Sequence, residues 1–296
     1  MTILLNHGAG RAQRATVREQ LVRYLRERGI EAVVHEVRAG EEITSLARQA
    51  VLSGERTVVA AGGDGTVGAV AAALVDTEAT MAVLPVGTLN HFAKELGIPL
   101  ELEAAVEIAR TGAIRAVDVG EVNGRIFVNN SSLGLYPAIV FERERRRRRG
   151  WSKWLAMAWA SLSVPRRFPS LSVCLDAGGA EARVVTPFLF VGNNEYMVEG
   201  FRFGRRRSLD EGRIWVFVAP PSSSRWRAVR LTLRALFKRD RRDRDFNAFQ
   251  TRELRVETNR AQVRVALDGE IFRVPPPLRY RSRPLALRVR VPAGKG

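Results

Sequence analysis

Residues 60–70, Ala-Ala-Gly-Gly-Asp-Gly-Thr-Val-Gly-Ala-Val, constrain this chain more than any other stretch. A short apolar run, Arg56–Ala61, meets glycines 62, 63, 65 and 68, and an Ala/Val-rich helical pattern, Val67–Val75, follows. The pattern is a buried strand that breaks at Gly62–Thr66 and turns into a helix. Glycine lets the backbone turn sharply and lets a ligand come close, while a helix N-terminus offers unpaired N–H groups to an anion. Such a turn is built for phosphate.

The flanking sequence repeats strand and helix patterns. Strands are expected at Thr2–Asn6, Glu31–Val37 and Met81–Pro85, and helices at Ala12–Arg28, Glu42–Leu52 and Glu101–Arg110. Alternation at this spacing implies a parallel sheet covered by helices, with ligands bound beyond the carboxyl ends of the strands. After about Asp118 the pattern becomes β-rich. Strands are expected at Arg125–Asn129, Leu171–Leu175, Arg183–Val191, Arg213–Ala219, Leu254–Thr258, Gln262–Leu267 and Leu285–Val291, with helices only near Trp151–Val164 and Trp226–Lys238. The fold class is therefore α/β, with a β-rich antiparallel second domain.

Two phosphate-binding chemistries compete at the glycine turn. Gly63-x-Gly65-x-x-Gly68 satisfies the dinucleotide fingerprint, but that fingerprint wants an acidic residue about 20 positions on, at the end of the next strand. Here that strand ends in Pro85-Val86-Gly87. Asp64 inside the turn would also repel a pyrophosphate unless a metal lay between, which points to Mg²⁺ and a nucleotide. No G-x-x-x-x-G-K-[ST] occurs, so the chain is not a P-loop enzyme.

The segment Leu84–Pro99, LPVGTLNHFAKELGIP, again places glycine, a hydroxyl and an amide between a strand and a helix. With GGDGT it resembles the signature of the diacylglycerol kinase catalytic-domain family, which includes bacterial lipid kinases and sphingosine and ceramide kinases. N-H-G-A-G-R at 6–11, R-S-L-D-E-G-R at 207–213 and L-D-G-E at 267–270 extend the likeness over nearly the whole chain. The resemblance implies a parallel-sheet nucleotide domain of the phosphofructokinase/NAD-kinase kind over residues 1–118, to which residues 280–296 return, and a β-rich lipid domain over 119–279. The reaction would lie in the cleft between them. ATP and Mg²⁺ are the implied co-substrate and metal, and a lipid such as a diacylglycerol or a sphingoid base is the implied acceptor.

Carried over position by position, the resemblance implies that Asn6, His7, Gly8, Ala9, Gly10 and Arg11, with Gly62, Gly63, Asp64, Gly65, Thr66 and Gly68, cradle the ATP phosphates. Thr88 and Asn90 would line the same cleft. Asp64 would hold or orient Mg²⁺, and Asp118 would join the water network around it. Asp268 and Glu270 would supply the base that accepts the lipid hydroxyl proton, with Asp268 preferred. Read alone, D-G-E is a solvated hairpin turn. In bacterial relatives the S-L-D-D-G segment holds a structural Mg²⁺. Here Ser208 and Arg213 stand at the carbonyl positions, and Glu211 replaces the aspartate, a longer carboxylate that strains octahedral geometry. Other departures are His7 for proline and His91 for aspartate.

The chain is strongly basic, with a formal charge of +17, and only four of its 48 basic residues are lysine. Uniform arginine excess is consistent with a merely basic surface. Arg143 and Arg145, Arg146, Arg147, Arg148 and Arg149 are bunched, however, and abut Trp151, Trp154 and Trp159. By itself a charge run is a solvated face, but arginine beside tryptophan is an interfacial pattern suited to anionic headgroups. The arginines at 145–149 with Trp151 and Trp154 are therefore expected to dock on an anionic membrane surface. The Trp226–Lys238 helix reads as packed, with its arginines in water, and Arg239–Arg244 as a weaker anion site. A single cysteine, Cys174, excludes a disulfide framework and a multi-cysteine zinc site. No secretory leader or run of about 18 apolar residues is present, so the expected place is the cytoplasm, peripherally at the inner face of the membrane. NAD kinase chemistry is the enzymatic alternative, and a non-catalytic binder of anionic membrane or nucleic acid the non-enzymatic one. No specific nucleic-acid motif accompanies the charge, and the choice between monomer and homodimer stays open.

Overall fold

The computed structural model describes residues 1–6, 11–38, 40–147, 149–152, 155–160, 163, 170–199, 202–219 and 247–294. The chain divides into two compact units, residues 1–119 with 126–129 and 283–296, and residues 120–125 with 130–282.

The first unit is a parallel sheet. Strands β1 (Thr2–Asn6), β2 (Val33–Val37), β3 (Thr57–Ala61) and β4 (Thr80–Leu84) lie in the order β2-β1-β3-β4. Arg288 and Val289, near the end of the last strand, β18 (Leu278–Val291), pair in parallel with Thr80 and Met81. Thr2–Leu5, Val58–Ala61 and Thr80–Leu84 are buried throughout. Central parallel strands are covered on both faces, which is why they read as continuous apolar runs and do not alternate. The helices are α1 (Arg11–Glu27), α2 (Gly40–Leu52), α3 (Asp64–Leu74), α4 (His91–Glu95) and α5 (Leu102–Thr111). Helix α3 puts Val67, Val70, Ala71 and Leu74 into the core. It begins at Asp64, one turn before the expected start at Val67, so only Gly62 and Gly63 form the turn while Gly65 and Gly68 lie in the helix.

The second unit is mostly antiparallel. Its larger sheet runs β14 (Asn247–Thr251), β13 (Ile214–Val218), β10 (Phe188–Asn193), β7 (Asn130–Gly134), β16 (Val263–Leu267), β17 (Glu270–Val274). The opening of β18, Leu278–Arg281, pairs with β15 (Glu253–Thr258), then β8 (Leu171–Ala177) and β9 (Ala180–Thr186). A two-stranded ribbon joins β11 (Tyr196–Glu199) and β12 (Arg202–Arg206). Strands β5 (Ala113–Val122) and β6 (Arg125–Phe127) pair with each other. The core includes Phe190, Tyr196 and Trp215, whose rings meet edge-to-face at 5.4 and 6.1 Å from Phe190.

The first part of the arginine run is helical. Leu135–Arg147 forms helix α6, with Pro137 in its first turn, where a missing N–H costs nothing. Of the helix expected at Trp151–Val164, residues 155–160 are helical and Trp151 and Ser152 are not. The single strand expected at Arg183–Val191 is two, β9 and β10, parted at Pro187. The Trp226–Lys238 helix and the Arg239–Arg244 run fall outside the described residues, as do His7, Gly8, Ala9, Gly10, Arg148 and Trp154.

Candidate active site

In the first unit, the two glycine turns sit at the carboxyl ends of adjacent strands. β3 and β4 pair in parallel with Ala61 opposite Leu84, and the Gly62 N–H continues the ladder to the Leu84 carbonyl at 3.1 Å. Beyond this bond the backbones touch. A methyl group on Gly87 would stand 2.3 Å from the Gly63 Cα, and one on Gly62 would stand 2.3 Å from Thr66 Oγ1. Glycine is required here because there is no room.

Asn90 closes the second turn on itself. It holds a left-handed backbone (φ 52°) and is buried; its amide donates to the Pro85 carbonyl at 2.9 Å and the Gly87 carbonyl at 3.0 Å, while its Oδ1 accepts the Gly87 N–H at 3.1 Å. Asn90, expected as a ligand residue, is thus a brace. Thr88 is exposed beside it. Asn6 donates to Thr66 Oγ1 at 3.1 Å, tying the end of β1 to the first turn of α3. Arg11 opens α1.

Asp64 joins the two turns. Its Oδ1 accepts the Phe92 N–H at 3.1 Å and the Asn129 amide at 3.3 Å, and its Oδ2 accepts the His91 N–H at 3.2 Å. The carboxylate therefore serves the N-terminus of α4, a place that favours negative charge. A carboxylate has about four acceptor positions, so three N–H donors leave roughly one for a metal or its water. His91, singled out as a departure, contributes this backbone N–H. Asn129 was not expected at all; its only sequence signal is the Asn129-Asn130 pair at the end of an apolar run. The N-terminus of α3 itself has no side-chain cap, and the N–H groups of its first turn lack helical partners. Asp118 is buried on β5, where its Oδ1 accepts the Leu285 N–H at 2.8 Å.

In the second unit, Asp268 and Gly269 form the two-residue turn between β16 and β17. Both have positive φ, 47° and 89°, the conformation that Asp-Gly hairpin turns adopt. Asp268 thus lies in the turn and Glu270 opens β17, so the two carboxylates do not sit on one strand. Asp268 is instead anchored to β7: its Oδ1 accepts the Asn130 N–H at 3.0 Å, and its own N–H donates to the Asn130 carbonyl at 2.9 Å. Loss of hydration raises the pKa of Glu270, although the residue as a whole keeps a solvent-exposed edge. Next along β7, Ser131 Oγ and the buried Tyr280 hydroxyl lie 3.0 Å apart, and burial pushes that phenol up.

The 207–213 segment is a loop around buried Leu209. Ser208 Oγ donates to Asp210 Oδ1, and the Arg213 carbonyl accepts the Asn194 N–H at 3.0 Å. Asn194 has a left-handed backbone (φ 66°), and its fully buried side-chain amide makes no hydrogen bond to a described residue at either atom. Glu211 is half-buried. Among the described residues no three His, Cys, Asp or Glu side chains converge as a metal cluster.

The arginines of α6 are partly spent within the helix. Glu142 takes Arg145 and Arg146, each at 3.0 Å; burial pushes its carboxyl up, but the two guanidinium hydrogen bonds more than offset this and hold it low. Arg146 also lies 4.9 Å from the ring centres of both Trp151 and Trp159. Arg145, Arg149, Leu155 and both tryptophans remain exposed. No helix among the described residues is long and apolar enough to cross a membrane.

Comparison with known proteins agrees with this architecture. A family profile, the diacylglycerol kinase catalytic domain, matches residues 1–122. A Pseudomonas savastanoi pv. phaseolicola protein described as "Probable lipid kinase YegS-like" is 32% identical over 84% of this chain and 80% of its own length. The diacylglycerol kinase of Bacillus subtilis is 33% identical over 47% of each chain. The crystal structure of a diacylglycerol kinase from Bacillus anthracis str. Sterne superposes with a TM-score of 0.69 at 18% identity, covering 99% of this chain and 96% of that one. A further chain from that organism gives 0.74 at 20% identity, over 99% and 97%. At such identities the structural likeness speaks for the fold alone, and the sequence relatives decide the family. The paired glycine turns, the braced Asp64 and the long alignment with a full-length relative have one reading: the chain belongs to the diacylglycerol kinase catalytic-domain family.

Proposed function

We propose that the chain is an ATP-dependent lipid kinase that transfers the γ-phosphoryl group to a hydroxyl of a diacylglycerol-like or sphingoid-like lipid at an anionic membrane surface. The observation that carries this reading is the pair of contacting glycine turns at the ends of β3 and β4, beside the uncapped start of α3. Backbone N–H groups of Gly63–Thr66 would take the nucleotide phosphates there, as helix N-termini do. Asp64 leaves room for one further acceptor contact, which fits a Mg²⁺ that keeps most of its waters. Mg²⁺ would neutralise charge that builds on the phosphate oxygens. Glu211, the Arg213 carbonyl and the orphaned amide of Asn194 supply oxygen donors of the kind a second, structural Mg²⁺ takes.

Asp268 is assigned as the base. Its carboxylate, oriented by the Asn130 N–H, accepts the lipid hydroxyl proton. The freed oxygen forms a bond to the γ-phosphorus while the bond to the ADP oxygen breaks in line, so the protein's main work is positioning. Glu270 is the neighbouring carboxylate, whose pKa poor hydration raises. The exposed Arg145, Arg149, Leu155, Trp151 and Trp159 would meet anionic headgroups, which supports a peripheral position on the inner leaflet.

The test is transfer from γ-labelled ATP with Mg²⁺ to diacylglycerol, monoacylglycerol, ceramide, sphingosine and polyprenols in mixed micelles containing anionic phospholipid. Label in one lipid class, reduced about 10²–10⁴-fold by Asp268→Asn and abolished by Asp64→Asn, is the expected result. Label in NAD⁺ instead, or none in any acceptor, would overturn the reading.

A further inference from the structure

The second unit contains a cavity of about 290 Å³ that the transfer chemistry does not use. It lies at the open end of the β16–β17 hairpin, where Val263 faces Val274, whereas the Asp268–Gly269 turn closes the opposite end. Four residues separate the two, about 14 Å along an extended strand. Its apolar lining comes from Ala138 of α6, Leu171 at the start of β8 and Val263, all buried. Its charged lining is Arg260, Arg264 and Arg273, and no carboxylate of the described residues lines it.

We propose that this cavity binds a phosphate-bearing anion through Arg260, Arg264 and Arg273. Arg264 and Arg273 stand directly opposite each other across the hairpin. Like charges at such a pair oppose strand pairing, a cost that becomes a gain when an anion sits between the two guanidiniums. Arg264 is also held in place: its guanidinium lies 4.2 Å from the ring centre of Phe141 on α6. A guanidinium with a fixed plane is prepared to take two oxygens of one phosphate, a geometry in which arginine excels. The apolar floor lowers the local polarisability and strengthens each such contact. The volume stands at the small end of ligand cavities, enough for a phosphate with a glycerol-sized body and too little for acyl chains.

That chemistry is shared by a soluble phosphomonoester and by the headgroup of an anionic phospholipid, and the experiment separates them. The proposal stands whether or not the chain transfers phosphoryl groups. Wild type and the Arg264→Gln/Arg273→Gln double variant are compared for glycerol 3-phosphate and inorganic phosphate by calorimetry, and for phosphatidylglycerol against phosphatidylcholine vesicles by sedimentation. Because both side chains are exposed, the variant is expected to melt as the wild type does, and a double Lys variant is expected to regain part of the binding. A tenfold or larger loss in the soluble arm identifies a soluble phosphate ester. A tenfold or larger loss confined to phosphatidylglycerol vesicles identifies a lipid headgroup. Equal binding by wild type and double Gln variant in both arms overturns the proposal. So does vesicle binding that responds only to Arg145→Gln/Arg149→Gln.

Discussion

The Gly62-Gly63-Asp64 turn of the first unit and the Asp268-Gly269 turn of the second use the same two residue types for opposite reasons. In the first, the backbone angles are ordinary: Gly63 has φ −90° and ψ −173°, which any residue adopts. The crowding falls on the facing turn: a Gly87 methyl would be driven into the Gly63 Cα, whereas one on Gly63 itself would make only an ordinary contact. In the second, there is space in plenty, and a methyl on Gly269 would meet nothing within 4 Å, but φ is +89°. The aspartates differ likewise. Asp64 is an acceptor that gathers three N–H groups, whereas Asp268 exchanges its own N–H and carboxylate with Asn130. Crowding at one turn brings two backbones into contact. Conformation at the other presents a carboxylate at a hairpin tip. A sequence motif containing Gly and Asp therefore means little until one knows whether space or φ selects the glycine.

Substitution breaks the comparison most sharply at Gly87. Gly87→Ala forces backbone against backbone with no side chain free to yield, so it belongs with the rare substitutions costing more than about 4 kcal/mol. The melting temperature of the variant should fall by about 10 °C, and nucleotide binding should go with it. Gly63→Ala is the control. Its methyl would lie 3.6 Å from the Gly87 Cα, an ordinary contact, so it should fold as the wild type does. Equal damage from the two would sink the crowding account. At the hairpin, Gly269→Ala should cost only the left-handed conformation, about 1–2 kcal/mol, whereas Gly269→Asn should cost less because Asn tolerates that region. If the alanine variant instead unfolded the protein, space would matter there too.

The parallel-sheet half was legible because its signals are redundant. A strand buried on both faces, a glycine break and an Ala/Val helix occur together at Thr57–Leu74, and each points the same way. The misses have separate causes. α6 was hidden because an arginine run reads as solvated, although Glu142 and Arg146 sit on one face of a helix and pair at i and i+4. β17 was hidden because D-G-E was weighed as a site or as a turn, and not as the joint that begins the strand Glu270–Val274. The site's braces were the least readable. Asn90 and Asn129 act through backbone carbonyls and a carboxylate that only the folded chain brings near, and no spacing rule links Asn129 to Asp64, 65 residues away.

The smallest expected effect concerns the charge next to the hairpin tip. Poor hydration raises the pKa of Glu270, with no partner among the described residues of the second unit to offset it. From the ordinary carboxylate range, about pH 4.3, up to that raised value, the folded protein binds more protons than the unfolded one. Stability must therefore decline as pH rises through this window. Glu270→Gln removes the titration, so its melting temperature should lie flatter across the same window and meet or exceed the wild-type value above it. The residue keeps an exposed edge, and water there screens the effect, so it should be smaller than that of Gly269→Ala. Parallel melting curves for the two proteins from pH 4 upward would mean that Glu270 is as well hydrated as in the unfolded chain. The hairpin tip would then hold a single environment-tuned carboxylate position at most, and the difference between the two turns would rest on glycine alone.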